Sequence, residues 1–412
     1  MKYILKNKDI DVLVFQVSIL EHTDRFGLVT YEHKLDDFFI INNELLPLKL
    51  NLMFNESSSH KEKKESLVSW INGRKTPKNR EFVDKIVQTY GGNEKTFMDY
   101  IDVSFGLSLN DSFWIVPCNK EYLWKEYNLY DNKFENILEL VAFTGVSKKI
   151  SGLTSSPEYT TNGMLRKCWH RENDEIFLYK GSGQVYANGG KDALSEYYCS
   201  QIAEVLGLNA ISYDLIEFHD HIVSKCSLFT SEKIGYLPIA YFFEKKSMIK
   251  TINEESEQQL AFVYGQRAFE DMMFFDGLIG NKDRHLGNFG MLIDNDTNQI
   301  LGSAPIFDNG ASFLNMLTLD ELSDYHKIEN NYYTYFGYKP FYQMMKFIQE
   351  RHIEGLEKLV HYKFIRHSLD TFPDFTSSFE IMIQECANKA LSLYNAYKSS
   401  DKPIINRNKL LN

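Results

Sequence analysis

The sequence predicts an α+β protein in two lobes, with a β-rich N-terminal half and a helical C-terminal lobe. Three observations predict it. Segments rich in β-branched and aromatic residues, with turn residues between them, dominate the first half. Amphipathic runs of helical period dominate after Glu255. Neither an internal repeat nor a low-complexity linker interrupts that order. A chain of 412 residues, 43% hydrophobic and 25% charged, is long enough for two or three domains with substantial cores.

The elements follow in order. VLVFQVSIL, FGLVTYEHKL and FFIINNELL read as three strands of a β-rich opening. From Ser58 to about Tyr90 two short helices are separated by GRKTP, with Gly73 placed to end the first and Pro77 near the start of the second. SFGLSLNDSFWIVP is another strand-and-turn region, and NLYDNKFENILELVAFTG leads into a hydroxyl-rich loop. LRKCWHR and EIFLYKG form a hairpin around END. ALSEYYCSQIAEVLGL puts Leu194, Tyr198, Ile202, Val205 and Leu206 on one helical face and ends at Gly207. ISYDLIEF and HIVSKCSLF return to strand character around HDH. Three long helices then follow: EQQLAFVYGQRAFEDMMFFDGLI, PFYQMMKFIQERHIEGLEKLV and SSFEIMIQECANKALSLYNAYK. The boundary between halves falls near Thr230 to Pro238. The expected domains are a variable β-rich region at 1–120 carrying the helical pair at about 58–90, an N-lobe at 121–230 and a helical C-lobe at 231–412.

Charge and cysteine usage exclude several classes. A formal net charge of -11 argues against a whole-molecule grip on nucleic acid or anionic membrane, so any anionic ligand must be held by local geometry. Cys118, Cys168, Cys199, Cys226 and Cys386 lie far apart without a CxxC pair, which suggests neither a zinc site nor a disulfide framework and fits a reducing cytoplasm. The N-terminus lacks the apolar core of a signal peptide, and no run approaches the length of a membrane span. The expectation is a cytoplasmic protein without membrane contact.

The chemistry concentrates in FFDGLIGNKDRHLGNFGML. A helix ending near Gly280 can bury Phe269, Met272, Met273 and Leu278, while Asn281, Asp283, His285 and Asn288 fall on the loop that follows. An acid five residues before an amide lets one loop aim a proton acceptor, Asp283, at an attacking hydroxyl while the oxygen of Asn288 binds a hard cation. A second acid follows in APIFDNG. The strand FGMLID and the turn DNDTN form a hairpin that returns Asp308 to the side of Asn288. Base, amide and acid at the ends of one hairpin are what metal-dependent phosphoryl transfer requires, with Asn288 and Asp308 on Mg²⁺. Lys180, at the end of EIFLYKG, is the cation for the nucleotide phosphates, and Glu196 in the next helix is placed to orient it, with Glu204 as the alternative. The loop from Ser155 to Gly163 would cover the phosphates with backbone N–H groups. Each of these residues alone has an ordinary reading as a turn, cap or surface residue; their order and spacing together carry the case.

At these residues the sequence resembles the HipA-like serine/threonine kinases, which share the protein-kinase-like fold with protein kinases and phosphoinositide kinases. NKDRHLGN followed by APIFDNG, LYKG upstream and a long helical C-terminal half carry the resemblance, from roughly Thr144 to the C-terminus. It implies Asp283 as catalytic base with His285 supporting the loop, Asn288 and Asp308 as Mg²⁺ ligands, and Lys180 as the phosphate-binding lysine. It implies transfer of the γ-phosphoryl group of ATP to Ser or Thr of a protein substrate. The nucleotide would lie between lobes, with Ser227 and Phe229 in the connecting segment near the adenine. It further implies autophosphorylation at Ser155, Ser156, Thr160 or Thr161, and a toxin–antitoxin setting with an antitoxin-like partner. The sequence departs from pattern in three places: D-R-H reverses the H-R-D of ordinary protein kinases, Asp308 is followed by Asn309 and Gly310 rather than Phe and Gly, and the glycine loop of the best-known family members is hard to align with SSPEYTTNG.

Two rivals remain. A phosphoinositide-type lipid kinase shares D-R-H-x-x-N, but the segment after Asp308, ASFLNMLTLDELSDYHKIENN, is not basic. A pseudokinase or DNA-binding module would use the helical pair, where eight Lys or Arg face four acids between Lys61 and Lys85 and Arg74 and Lys75 would contact phosphates. The favoured reading of that pair is a helical hairpin with solvated faces, without DNA contact of its own.

Overall fold

The computed structural model describes residues 1–27, 29–54, 57–75, 81–88, 98–134, 136–146, 156–161, 164–183, 189–243, 253–324, 327–328 and 331–398. The chain forms two compact units. The first comprises Met1–Tyr179, Leu228–Leu237 and Leu292–Leu301. Its N-terminal sheet is antiparallel, in the order β3-β2-β1-β4, from β1 (Lys2–Asn7), β2 (Ile10–Thr23), β3 (Val29–Ile40) and β4 (Phe113–Pro117). Strand alternation puts Tyr3 opposite Phe15 and Leu5 opposite Leu13 on the buried face. Helices α1 (Leu48–Met53) and α2 (His60–Asn72) close that core with Leu50, Leu67, Trp70 and Ile71.

FFIINNELL does not form a strand of its own. Phe38–Ile40 complete β3, and the Asn42 side chain then accepts from the N–H groups of Glu44 and Leu45, an Asx turn that leads into α1. The unit continues with α3 (Val83–Gln88), α4 (Asp99–Ser104), α5 (Trp124–Tyr127), α6 (Asn136–Thr144) and the hairpin β5 (Lys167–Glu172) and β6 (Glu175–Gly181), turned by Asn173 at φ +54°.

The helical pair is present as α2 and α3, with Ser59 and Glu62 forming a capping box at the start of α2; Pro77 lies outside the described residues. The phosphate-binding role considered for Arg74 is corrected. Arg74 is buried: its guanidinium is bidentate to Asp111 at 2.8 and 2.9 Å, donates to the carbonyls of Gly106 and Phe113, and lies over the Trp70 ring. A cation spent this way anchors a core and is not offered to a phosphate.

The second unit comprises Lys180–Ser227, Pro238–Met291 and Gly302–Asn412. Helix α7 (Asp192–Val205) precedes the antiparallel hairpin β7 (Asp214–Phe218) and β8 (His221–Ser227), whose turn residues His219 and Asp220 both take positive φ. The strand β9 (Ile234–Pro238) and the outer parts of β10 (Gly290–Asp294) and β11 (Ile300–Ser303) belong to the first unit, in the order β11-β10-β9.

Helices make up most of the rest: α8 (Glu254–Tyr264), α9 (Gln266–Ile279), α10 (Phe313–Met316), α11 (Leu319–Leu322), α12 (Pro340–Phe347), α13 (Ile353–Leu359) and α14 (Pro373–Lys398). The helix expected through EQQLAFVYGQRAFEDMMFFDGLI is two, because Gly265 at φ +96° breaks it. The one expected through PFYQMMKFIQERHIEGLEKLV also divides, at Ile348–Gln349, where Gln349 N–H donates to His352 Nδ1 before a 3₁₀ turn. Helix α9 is the spine of this unit, with Phe269, Met272, Met273, Phe274, Phe275, Leu278 and Ile279 buried. It meets α12 at Gly277, where a Cβ would stand 2.5 Å from Met344 N. No helix among the described residues is long and apolar enough to cross a membrane.

Candidate active site

Helix α9 ends at Gly280, whose φ of +67° turns the chain into the left-handed region. The loop that follows is held by its own amides. Asn281 Oδ1 accepts from Asp283 N–H at 2.9 Å, and His285 N–H donates to the Asp283 carbonyl at 2.8 Å. Asn288 Nδ2 donates to that same carbonyl at 2.8 Å, and among the described residues no donor meets the amide oxygen of Asn288. Gly287 N–H donates to His285 Nδ1 at 3.0 Å and fixes the ring.

Arg284 binds this loop to the returning hairpin. It is 1% exposed, and all five guanidinium N–H groups are engaged. Nε and Nη2 donate to the two oxygens of Asp276 on α9, each at 2.9 Å. Nη1 donates to the carbonyls of Asn288 and Phe307, and Nη2 also donates to Asn309 Oδ1 at 2.6 Å. Arg284 is thus acid-paired and internal. Its pKa is raised, since the Asp276 carboxylate outweighs the burial that works against the cation.

Asp308 follows the hairpin with φ +59°, a left-handed conformation that Asp tolerates better than most residues. Its N–H donates to the Tyr213 hydroxyl at 3.1 Å, and its carboxylate is paired with Lys180 Nζ. Lys180 is also bonded to Glu196 Oε1 at 2.7 Å, so one ammonium bridges two carboxylates. The second oxygen of Glu196 accepts from Ser224 on β8. Glu196 is 1% exposed, which selects it over Glu204 as the partner of the lysine. Burial opposes the Lys180 charge, but Asp308 and Glu196 prevail and raise its pKa; burial raises that of Glu196. Asp283 reaches solvent, yet desolvation of its carboxyl, with Asp308 adding repulsion, pushes its pKa above the ordinary aspartate range.

The structure thus gathers Lys180, Glu196 and Asp308 in one cluster, and ties Asp283, His285 and Asn288 into one loop. Arg284 joins that loop to Phe307 and Asn309 on either side of Asp308. Sequence reasoning missed Ser224 and Tyr213, which carry no motif. It also missed the docking of Gly181–Gly183 on α7, where Gly183 N–H donates to Asp192 and Ala193 N–H donates to Ser182 Oγ, each at 3.1 Å. The glycines of KGSG were the available signal.

Ser227 ends β8 and is exposed, and Phe229 packs edge-on against Tyr236 with ring centroids 5.5 Å apart. Ser155 lies outside the described residues, as do residues 162 and 163. Ser156, Thr160 and Thr161 are buried with their hydroxyls occupied: Ser156 Oγ accepts from Glu158 N–H, Thr160 donates to the Leu107 carbonyl and Thr161 to the Pro157 carbonyl.

Among the described residues no group of three or more His, Cys, Asp or Glu is arranged as a complete metal cage. One carboxylate and one amide oxygen, from Asp308 and Asn288, are the hard and incomplete donor set that suits Mg²⁺, an ion that keeps waters and substrate phosphates in its shell. The donors fit the ion.

Residues 160–350 match the family model described as HipA-like kinase. This region of the chain is similar to the HipA-like kinases. Two solved structures extend the comparison. The chain shares its fold with HipA of Shewanella oneidensis MR-1, from a toxin–antitoxin complex with HipB and operator DNA. That likeness has 12% identity and a TM-score of 0.51 and covers 97% of this chain and 100% of that one. It is also similar to the Helicobacter pylori proinflammatory kinase CtkA at 19% identity, with a TM-score of 0.46 over 60% of this chain and 96% of that one. A search of curated proteins gives no match.

Proposed function

We propose that this HipA-like kinase transfers the γ-phosphoryl group of ATP to a Ser or Thr hydroxyl of a protein substrate. One observation carries the reading: Lys180 bridges Glu196 and Asp308, while Arg284 fastens the Asp283–Asn288 loop to the residues on both sides of Asp308. Lys180 neutralises nucleotide phosphates, held in place by Glu196 and Ser224. Asn288 and Asp308 hold Mg²⁺, which supplies positive charge to the phosphoryl oxygens when bound. Asp283 accepts the proton of the attacking hydroxyl, and its raised pKa brings it closer to the range where a base works best near neutrality. Ser227, at the exposed end of β8, contacts the adenine.

Autophosphorylation at Ser156, Thr160 or Thr161 would require their segment to open, because the hydroxyls are internally bonded. Intact mass after incubation with Mg-ATP tests this, and an unchanged mass would remove it. By analogy with the Shewanella complex, the chain acts as the toxin of a toxin–antitoxin pair with an antitoxin-like protein partner, in the cytoplasm.

The deciding experiment is phosphorylation of lysate proteins by wild type, Asp283→Ala and Asp308→Ala in Mg-ATP. Wild type labels Ser and Thr, and each variant loses about 10²-fold or more while remaining folded. Labelling by either folded variant at the wild-type rate would overturn the assignment.

A further inference from the structure

The segment after α11 carries a pattern that the catalytic assignment does not use. Along Asn331–Gly337 burial alternates strictly: Tyr332, Thr334 and Phe336 are buried, whereas Asn331, Tyr333, Tyr335 and Gly337 are exposed. The buried members are anchored by side chains. Tyr332 donates its hydroxyl proton to the Gly280 carbonyl at 2.7 Å, at the exit of α9 that launches the Asp283 loop. Thr334 donates to Gln343 Oε1 at 2.6 Å. Phe336 packs edge-on against Phe269, with centroids 6.1 Å apart. Past the turn, Tyr338 is bonded to Glu257, which also takes Lys346 at 2.6 Å.

The hydroxyls of Tyr332 and Thr334 are therefore spent inward, while Tyr333 and Tyr335 are displayed outward. Tyr333 and Tyr335 are 46% and 43% exposed. Tyr335 stands edge-on to the His285 ring, centroids 6.3 Å apart, and that ring is fixed by Gly287 N–H. The Asp283 carboxylate is close enough that it adds to burial in raising the pKa of the Tyr335 hydroxyl. A rigid aromatic ledge thus adjoins the group that must meet the acceptor hydroxyl. Rings held on an anchored backbone give contact area at little entropic cost, which is how polypeptides are gripped tightly and selectively.

We propose that Tyr335, seconded by Tyr333, binds the side chain beside the acceptor Ser or Thr and selects polypeptides with an aromatic or aliphatic residue there. The inference rests on the kinase reading of Asp283 and names the substrate class for that site. Tyr335 is a specificity residue and takes no part in the chemical step.

The test uses the full chain and dye-labelled peptide pools that fix a central Ser and one neighbour as Phe, Ile, Arg or Asp. Anisotropy without nucleotide measures binding, and Mg-ATP turnover measures KM for peptide and for ATP. Wild type is expected to prefer Phe and Ile pools. Tyr335→Ala weakens their binding and raises KM for peptide about tenfold or more, the discrimination expected of an apolar contact. Its KM for ATP and turnover at saturating peptide stay within about twofold. Tyr335→Phe keeps the preference, because the ring face is the contact.

Equal binding of all pools, preference for Arg or Asp pools, or an unchanged preference in folded Tyr335→Ala would each overturn the proposal. Absence of turnover in wild type would sink the kinase reading alone, since the anisotropy comparison still judges Tyr335 as a peptide contact.

Discussion

Arg284 meets Asp276 at two points inside the helical unit, Nε to Oδ2 and Nη2 to Oδ1, each at 2.9 Å, with both side chains 1% exposed. The pair links the body of α9 to the loop that carries the proposed base. A charge so deeply placed is tolerable only while its partner remains.

Arg284→Met is therefore expected to lower stability by about 3–5 kcal/mol, because Asp276 is left buried and uncompensated. Urea denaturation measures the loss. Arg284→Lys should recover only part of it, since an ammonium cannot reproduce the planar two-point contact or reach Phe307 and Asn309 together. A lysine variant as stable as wild type would show that charge alone suffices.

Two glycines with matching torsions separate backbone strain from crowding. Gly207 has φ +66° and open space where a Cβ would stand; Gly280 has φ +67°, and its Cβ would lie 2.2 Å from the Phe313 ring. Gly207→Ala should cost about 1–2 kcal/mol for the left-handed backbone. Gly280→Ala should cost about 1–3 kcal/mol more, through displacement of Phe313. Equal midpoint shifts in denaturation would contradict the crowding argument.

The pKa of Asp283 gives a signed dependence on pH. The folded state holds this proton to a higher pH than the unfolded chain does, so between the ordinary aspartate value and the raised folded value the folded state binds more protons. The contribution of the group to stability is thus present at low pH and lost as pH rises through the folded pKa. Carbon-detected NMR titration of the Asp283 carboxyl should give a value above about 3.9. Asp308→Asn should lower it, because one repelling charge is removed, and Lys180→Met should raise it. Movement in the opposite directions would show that these groups do not share one electrostatic environment.

In the first unit, Arg74→Ala should destabilise the fold by about 3 kcal/mol, because Asp111 and the carbonyls of Gly106 and Phe113 lose their donor. The Trp70 ring beneath the guanidinium supplies the fluorescence readout. A wild-type unfolding curve from this variant would reopen a surface role for the arginine.

Much of the candidate site was legible because its signals are local. The end of α9 at Gly280, the loop from Asn281 to Asn288 and the hairpin returning to Asp308 each depend on neighbours in sequence, and the chain follows them. The pairing of Lys180 with Glu196 needed only a strand end and a helix sixteen residues on. What escaped notice were contacts that are distant in sequence. Nothing near Arg74 advertises Asp111, and nothing near Asp308 advertises the Tyr213 hydroxyl. The helix break at Gly265 was hidden for another reason: the apolar period runs through it unchanged, and a lone glycine in a helical pattern marks an interruption only when its torsion is known. The fate of Asn42 was a local signal passed over, since its Asx turn ends a strand that hydrophobicity alone would continue.

The fully occupied guanidinium bears on mutational freedom. Two of its five acceptors are main-chain carbonyls, at Asn288 and Phe307, and any residue type can present those. Phe307 serves this socket only through its carbonyl, whereas Arg284 has no substitute among the other nineteen residues. In a saturation library position 284 should therefore return arginine alone, because no other side chain presents five donors in one plane.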